Sequence, residues 1–265
     1  MKFLDRFYEK FDEDKRLARR HGQVEFFVTN FYINKILDKI KKQTGKNNGQ
    51  IKIADIGAGT GAYSVPLFKS DYDVTAVEFA TPNLKKLRAK NLAIKTFLGD
   101  ATNLDMLGSE SFDLTLLFGP MYHLMSINQK QKALAEAKRI TRHGGYIMVA
   151  YYLNDYAVVV HGFRDGNILQ SLNQGRLDDK FHIVAKQDDV FAFDRLEDIN
   201  KYKTNAGLKR IEIFAPDGAS DYMRDVLNKM DNQTFEQFKK YQLATSKNKS
   251  LLGASSHVVD VLKKL

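Results

Sequence analysis

The sequence predicts an α/β fold: a doubly wound, mostly parallel sheet with helices on both faces. Three observations carry this expectation. Between Ile51 and Tyr152, extended apolar segments alternate with amphipathic ones. Two of the extended segments, SFDLTLLFG and GYIMVAYY, are apolar almost throughout, as strands buried on both faces are. The first segment, IADIGAGTGAYS (Ile53 to Ser64), runs through an aspartate into glycines at alternate positions, the composition of a tight turn from a strand into a helix.

Taken in order, residues 1–50 read as an N-terminal helical cap. VTNFYINKILDKIKK sets Val28, Phe31, Tyr32, Ile36 and Ile40 at helical spacing opposite lysines, and QTGKNNGQ forms a polar loop. Residues 51–152 read as the core. IKIADIG is a strand, AYSVPLFKS a short helix with Pro66 in an early turn, and YDVTAVEF a second strand. TPNLKKLRAKN is a helix with Thr81 as its N-cap and Pro82 at its first position. AIKTFLGD and SFDLTLLFG follow as strands, NQKQKALAEAKRIT as a helix stopped at Gly144-Gly145, and GYIMVAYY as strand five.

The rhythm breaks over residues 153–195, where FHIVAKQDDVFAF reads as a hairpin turning at Asp188-Asp189. An irregular insertion past the C-terminal end of a parallel strand lies where such sheets bind ligands, so 153–195 is expected to be a lid. Residues 196–265 return to the pattern with the helix RLEDINKYKTNAG, the strand LKRIEIFA, two helical stretches and a β-like SHVVDVLKKL. The whole, 1–265, is read as one domain.

Composition narrows the chemistry. The 265 residues are 43% hydrophobic and 28% charged, ordinary for a globular chain. There is no cysteine, which excludes disulfides, thiolate nucleophiles and cysteine metal sites; no metal is expected. The N-terminus lacks the apolar core of a signal peptide, and no apolar run reaches the roughly 18 residues that span a bilayer, so a cytoplasmic protein without a membrane partner is expected. The net charge of +9 admits a polyanionic partner such as RNA, but the lysines are scattered and no arginine-aromatic cluster accompanies them.

The glycine turn fits a nucleotide, and two are in contention. Gly57-Ala58-Gly59-Thr60-Gly61-Ala62 satisfies a dinucleotide fingerprint, so NAD is one. Asp55 argues for the other, because a carboxylate at the strand end suits an ammonium or sulfonium and repels a pyrophosphate. Glu78 closes the next strand, where it can accept both ribose hydroxyls. Asp100 closes the third, where it can accept from an adenine amine, with Ala101 offering an amide. The plainer alternative for each acid is an N-cap or a solvated strand end.

Here the sequence resembles the class I S-adenosylmethionine-dependent methyltransferases. The resemblance covers Ile51 to Tyr152 and rests on DIGAGTG, Glu78, GDA at Gly99 to Ala101, and FDLTLLFGPMYHL. It implies a Rossmann-like sheet of seven strands with a reversed last strand, which SHVVDVLKKL can supply. It implies S-adenosyl-L-methionine as cofactor, with Gly57, Gly59 and Gly61 around the methionine moiety, Glu78 on the ribose, and Ala58 and Thr60 of the same turn also binding the cofactor. Phe79 would pack on the adenine, Asp100 would contact its amine, and Phe118 would line the site. FDEDKRL…VEF, GPMYHL and LLGASSHVVDVL also resemble an uncharacterised bacterial small-domain subgroup.

Methyl transfer is an in-line displacement that needs alignment, exclusion of water and, for some acceptors, removal of a proton. Tyr122 and His123 leave strand four beside the expected methyl position; His123, which titrates near neutrality, is the candidate base. Tyr152, His161, Arg164 and His257 are candidates for touching substrate, and Tyr8 for folding over the cofactor. Gly119 before a single proline departs from the loop that serves exocyclic base amines. The function read here is methyl transfer to a nitrogen or oxygen of a small molecule. An RNA or protein methyltransferase, and a cofactor-binding protein without turnover, stay open.

Overall fold

The computed structural model describes residues 2–11 and 13–265; Met1 and Asp12, within the cap read from the sequence, lie outside the described residues. Seven strands form one sheet in the order β3-β2-β1-β4-β5-β7-β6. They are β1 (Lys52–Ile56), β2 (Asp73–Glu78), β3 (Lys95–Leu98), β4 (Phe112–Leu117), β5 (Thr141–Tyr152), β6 (Lys209–Phe214) and β7 (His257–Lys263). Strands β1 to β5 pair in parallel, whereas β7 runs antiparallel to both β5 and β6. The last strand is therefore reversed, as expected, and β6 points the same way as the parallel set.

Side-chain alternation splits the core into two layers. Ile53, Leu114, Leu116, Met148 and Val261 face one way, against Val28, Tyr32, Ile36 and Ile40 of α3 (Arg20–Thr44), Leu67 of α4 (Ser64–Lys69) and Leu87 of α5 (Thr81–Arg88). Ile56, Val77, Leu117, Val149 and Tyr151 face the other, against Ala133, Leu134 and Ala137 of α6 (Ile127–Ile140) and Ile199 and Tyr202 of α9 (Leu196–Asn205). Ser126 caps α6 reciprocally with Gln129, which fixes where the chain turns out of the β4 exit loop. At α5 the residue outside the helix is Ala80, not Thr81. The Thr81 amide instead donates to Asp5 Oδ1 at 2.9 Å, tying α1 (Lys2–Lys10) to the start of α5.

Two further differences concern turns. α6 ends at Ile140, and Gly144, with φ of 77°, lies inside β5 next to a register shift rather than ending the helix. The hairpin expected over residues 181–193 does not form; the bridge made there joins Leu177 to Ile183. Residues 153–195 fold instead as α7 (Asn154–Ala157), a π-helical stretch (Val158–Arg164), α8 (Ile168–Asn173) and an extended return. The base of the insertion is shut by the Leu153–Asp194 bridge and by a buried Lys130–Asp194 ion pair at 2.5 Å. Among the described residues no helix is long and apolar enough to cross a membrane.

Candidate functional site

Strand order reverses between β1 and β4, and the loops leaving their C-terminal ends bound a cleft, as a topological switch point does. The Gly57 amide continues the ladder to Val77 O at 2.8 Å, and the chain then turns with φ of 78° at Gly57 and 57° at Gly59. Glu78 holds this turn: its Oε2 accepts from the Gly59 amide at 2.7 Å and its Oε1 from Ala80 at 2.8 Å. Burial pushes the Glu78 carboxyl above its ordinary range, and these amides oppose the shift. Beside it, Asn83 Oδ1 is buried without a hydrogen-bond partner among the described residues. A carboxylate with two amide donors and an orphaned carbonyl oxygen suit a ligand that brings hydroxyl or amine donors.

Gly57, Ala58, Gly59, Thr60, Glu78 and Phe79 all line one cavity, and Asp100, Ala101 and Phe118 line it too. Two predicted members do not. Gly61 is turned away, its missing Cβ position lying 2.4 Å from Leu87 Cδ1, so it serves the packing of the turn on α5. Asp55 is 1% exposed and lies behind the turn, accepting the Ser64 hydroxyl at 2.5 Å. The carboxylate expected to face the ligand is instead walled off by the first residue of α4.

Burial drives the Asp55 carboxyl up to about 6 from 3.8, and the Ser64 bonds hold it back. A raised carboxyl pKa means that the folded state binds the proton more tightly. The charged group therefore costs stability as pH rises from the unfolded value to about 6, and in full above it. Ser64→Ala removes the donor that offsets this. By urea unfolding it is expected to lose about 2–3 kcal/mol near pH 8 and only about 1 kcal/mol near pH 4.5. A loss independent of pH would make the hydroxyl a packing group.

Beyond the turn the same cavity becomes aromatic. The loop after β4 holds Tyr122 and His123, and the Tyr122 ring stacks on Tyr152 of β5, centroids 4.1 Å apart and planes within 12°. Tyr151, its neighbour, is fully buried in the core. From the insertion comes Phe191, delivered by the Ala192 amide bonded to Tyr122 O at 2.8 Å; its ring meets Tyr152 edge-on at 5.2 Å. Tyr8 of α1 reaches over to His123, Oη to Nε2 at 2.8 Å, while His123 Nδ1 meets Val190 O at 2.7 Å. A carbonyl only accepts, so Nδ1 carries the proton and Nε2 receives the tyrosine hydroxyl.

His123 therefore does not titrate near neutrality. Burial pulls it down to about 4, both nitrogens are engaged, and the ring acts as a latch between α1, the β4 loop and the insertion. Removing the hydroxyl with Tyr8→Phe is expected to loosen the latch, raising the rate of trypsin cleavage within residues 1–20 several-fold. An unchanged rate would show that the other contacts of α1, the Asp5–Thr81 hydrogen bond among them, hold it without the latch.

His161 and Arg164 do not reach this cavity. His161 lines a separate hollow in the insertion and contacts Asn167, and Arg164 pairs on the surface with Asp165 at 2.8 Å. His257 does reach it, with Tyr152 4.2 Å away between ring centroids. Its Nδ1 meets Asp217 Oδ2 at 2.6 Å, and Asp217 also accepts the Ser255 and Ser256 hydroxyls.

Sequence reasoning missed Asp217, Glu25 and Arg16. Glu25 lies on α3 and is held by Arg16 at 2.6 Å from α2 (Glu13–Ala18). Ligand-type atoms of Glu25, Asp217 and His257 lie within 4.8 Å of one another. Arg16 and the two serines already occupy the carboxylates, so the group is a hydrogen-bonded charge network rather than a metal centre. A signal for Asp217 was present: it stands just past the end of β6, which points the same way as the parallel strands, much as Glu78 closes β2 and Asp100 follows β3.

Residues 54–149 match the model of a family described as a methyltransferase domain. Over 102 residues the chain is 37% identical to the demethylmenaquinone methyltransferase of Renibacterium salmoninarum, covering 38% of this chain and 41% of that protein. The chain thus spans about two-fifths of that relative's length. A solved S-adenosylmethionine-dependent methyltransferase from Thermotoga maritima superposes with a TM-score of 0.52 at 18% identity, over 99% of each chain. The geranyl diphosphate C-methyltransferase of Streptomyces coelicolor, solved with S-adenosyl-L-homocysteine, gives a TM-score of 0.54 at 10% identity, over 89% of this chain and 79% of that one. At such identities the two structures share the fold.

Proposed function

We propose that the protein, whose residues 54–149 match the model of a methyltransferase domain, is an S-adenosylmethionine-dependent enzyme that methylates a nitrogen or oxygen of a small molecule. The observation that supports this most is one cavity with two unlike halves: an acidic, glycine-lined half at Glu78 and an aromatic half at Tyr122 and Tyr152. When bound, the cofactor supplies a methyl on sulfonium, whose carbon accepts a lone pair as the carbon–sulfur pair returns to sulfur.

The chain's own residues divide the remaining work. Glu78 would accept the ribose hydroxyls, with Asn83 Oδ1 beside it. Phe79 would pack on the adenine and Asp100 and Ala101 would meet its polar edge. Gly57 and Gly59 let the backbone approach the methionine part. Tyr122, Tyr152 and Phe191 take a flat apolar body. In this reading residues 1–50 cap the cavity and 153–195 close one side, within a single domain.

The test gives the purified protein labelled methyl donor and host extract split by size, with and without ribonuclease. Label on nitrogen or oxygen in the small fraction supports the reading. The names of the relatives bring carbon acceptors as the rival, so label on carbon would replace the acceptor and keep the enzyme. Label that ribonuclease removes would make the +9 charge functional. Calorimetry comes with it: tight NADH binding without S-adenosylhomocysteine binding would end the proposal.

A further inference from the structure

We propose that His257, positioned by Asp217, is the group that takes a proton from the acceptor, and that the acceptor is an amine carried on a flat apolar body. The inference rests on the methyl-transfer reading above.

Geometry assigns the imidazole its orientation. Asp217 accepts from the Ser255 and Ser256 hydroxyls, from the His257 amide at 3.2 Å and from Nδ1 at 2.6 Å. Each oxygen of Asp217 accepts from these donors, so the proton of the imidazole lies on Nδ1, facing Oδ2. The free lone pair then belongs to Nε2, to which no hydrogen bond runs among the described residues. The ring lines the cavity at 7% exposure, so Nε2 is the site's basic nitrogen not already engaged, in contrast to His123.

Charge selects the acceptor. Among the described residues the groups facing His257 are Asp217 and Asp221 from the segment after β6, Glu25 from α3 and Arg16 from α2; Arg224 holds Asp221 at 2.9 Å, and His21, whose imidazole burial pulls below its ordinary range, stands nearby. Among the described residues three carboxylates stand against two guanidinium groups, so this end of the cavity carries one excess negative charge while the imidazole is neutral. Burial alone would pull the imidazole down, yet Asp217 and Glu25 lift it above 6.5 overall. The same field draws an ammonium and repels a carboxylate or phosphate. An ammonium has no lone pair to offer. One N–H bond must break with its electrons left on nitrogen, the proton passing to Nε2, where Asp217 and Glu25 stabilise the imidazolium.

The test uses 2-phenylethylamine and 3-phenylpropionate, which share a ring and differ in charge, on protein saturated with S-adenosylhomocysteine. Calorimetry is expected to give the amine at least 10-fold tighter binding, reduced several-fold in Glu25→Gln. Equal binding, or binding of neither, overturns the substrate class. Histidine NMR is expected to show the His257 titration moving down by about one unit in Asp217→Asn. With the amine as acceptor, the acidic limb of kcat should follow that shift, and His257→Gln should lose roughly 100- to 10,000-fold in kcat with S-adenosylhomocysteine affinity kept. An unmoved titration or limb, an active His257→Gln, or no label on the amine overturns the base. Failure of the wild type to bind S-adenosylhomocysteine strikes the methyl-transfer reading itself and is read separately.

Discussion

Glu78→Gln is expected to weaken S-adenosylhomocysteine binding by about 100-fold, close to 3 kcal/mol, while changing fold stability by no more than about 1 kcal/mol. The separation follows from what each carboxylate oxygen does. Oε2 accepts the Gly59 amide and Oε1 the Ala80 amide. An amide side chain keeps one acceptor and turns an NH2 towards the other donor, leaving one buried N–H unpaired. Against that loss, removing a charge that burial already disfavours is a gain, and the two nearly cancel in the unliganded protein. Binding has no such compensation, because a ribose diol brings two donors and needs the same oxygens. Calorimetry beside urea unfolding reads both quantities. Unchanged affinity would reduce Glu78 to a brace for the glycine turn.

That turn was legible in the sequence because its chemistry is local. Glycines at alternate positions, a strand before them and an acid closing the next strand describe Gly57 to Glu78 without reference to any distant residue. The two-sided burial of β4 and β5 was equally plain, since both faces need apolar side chains. Asp55 shows the limit. Its place at the strand end was right, but which side of the turn its carboxylate takes depends on Ser64 arriving from α4. The insertion failed for a related reason. His161 and Arg164 have the right chemistry, yet the segment is anchored by Asp194 and Ala192, and what it delivers is Phe191. No local pattern distinguishes that phenylalanine from its neighbours. The network of Arg16, Glu25, Asp217 and His257 draws on α2, α3, the exit of β6 and the start of β7. Its assembly follows from β7 being reversed, which brings His257 to the same rim as the ends of the parallel strands.

Two alanine substitutions in the turn should separate folding from binding. Gly57→Ala is expected to lose about 3–5 kcal/mol of stability: a φ of 78° costs an L-residue about 1–2 kcal/mol, and the remainder is overlap. A Cβ there would sit 2.5 Å from Pro120 Cδ and 3.2 Å from Gly119 Cα, where the exits of β1 and β4 touch. Relief requires the Gly119–His123 loop to move, and with it the hold of His123 on Tyr8. Gly59→Ala meets no atom within 4 Å, so its cost is the backbone term alone, about 1 kcal/mol at a φ of 57°. Its methyl, however, stands on the part of the turn that borders the cavity, where a ligand would approach the backbone. Thermal unfolding should therefore rank Gly57→Ala far below Gly59→Ala, while S-adenosylhomocysteine binding should be lost in Gly59→Ala despite its near-normal fold. If Gly59→Ala binds as the wild type does, the cofactor does not lie against this turn, and the assignment of the acidic half of the cavity falls with it.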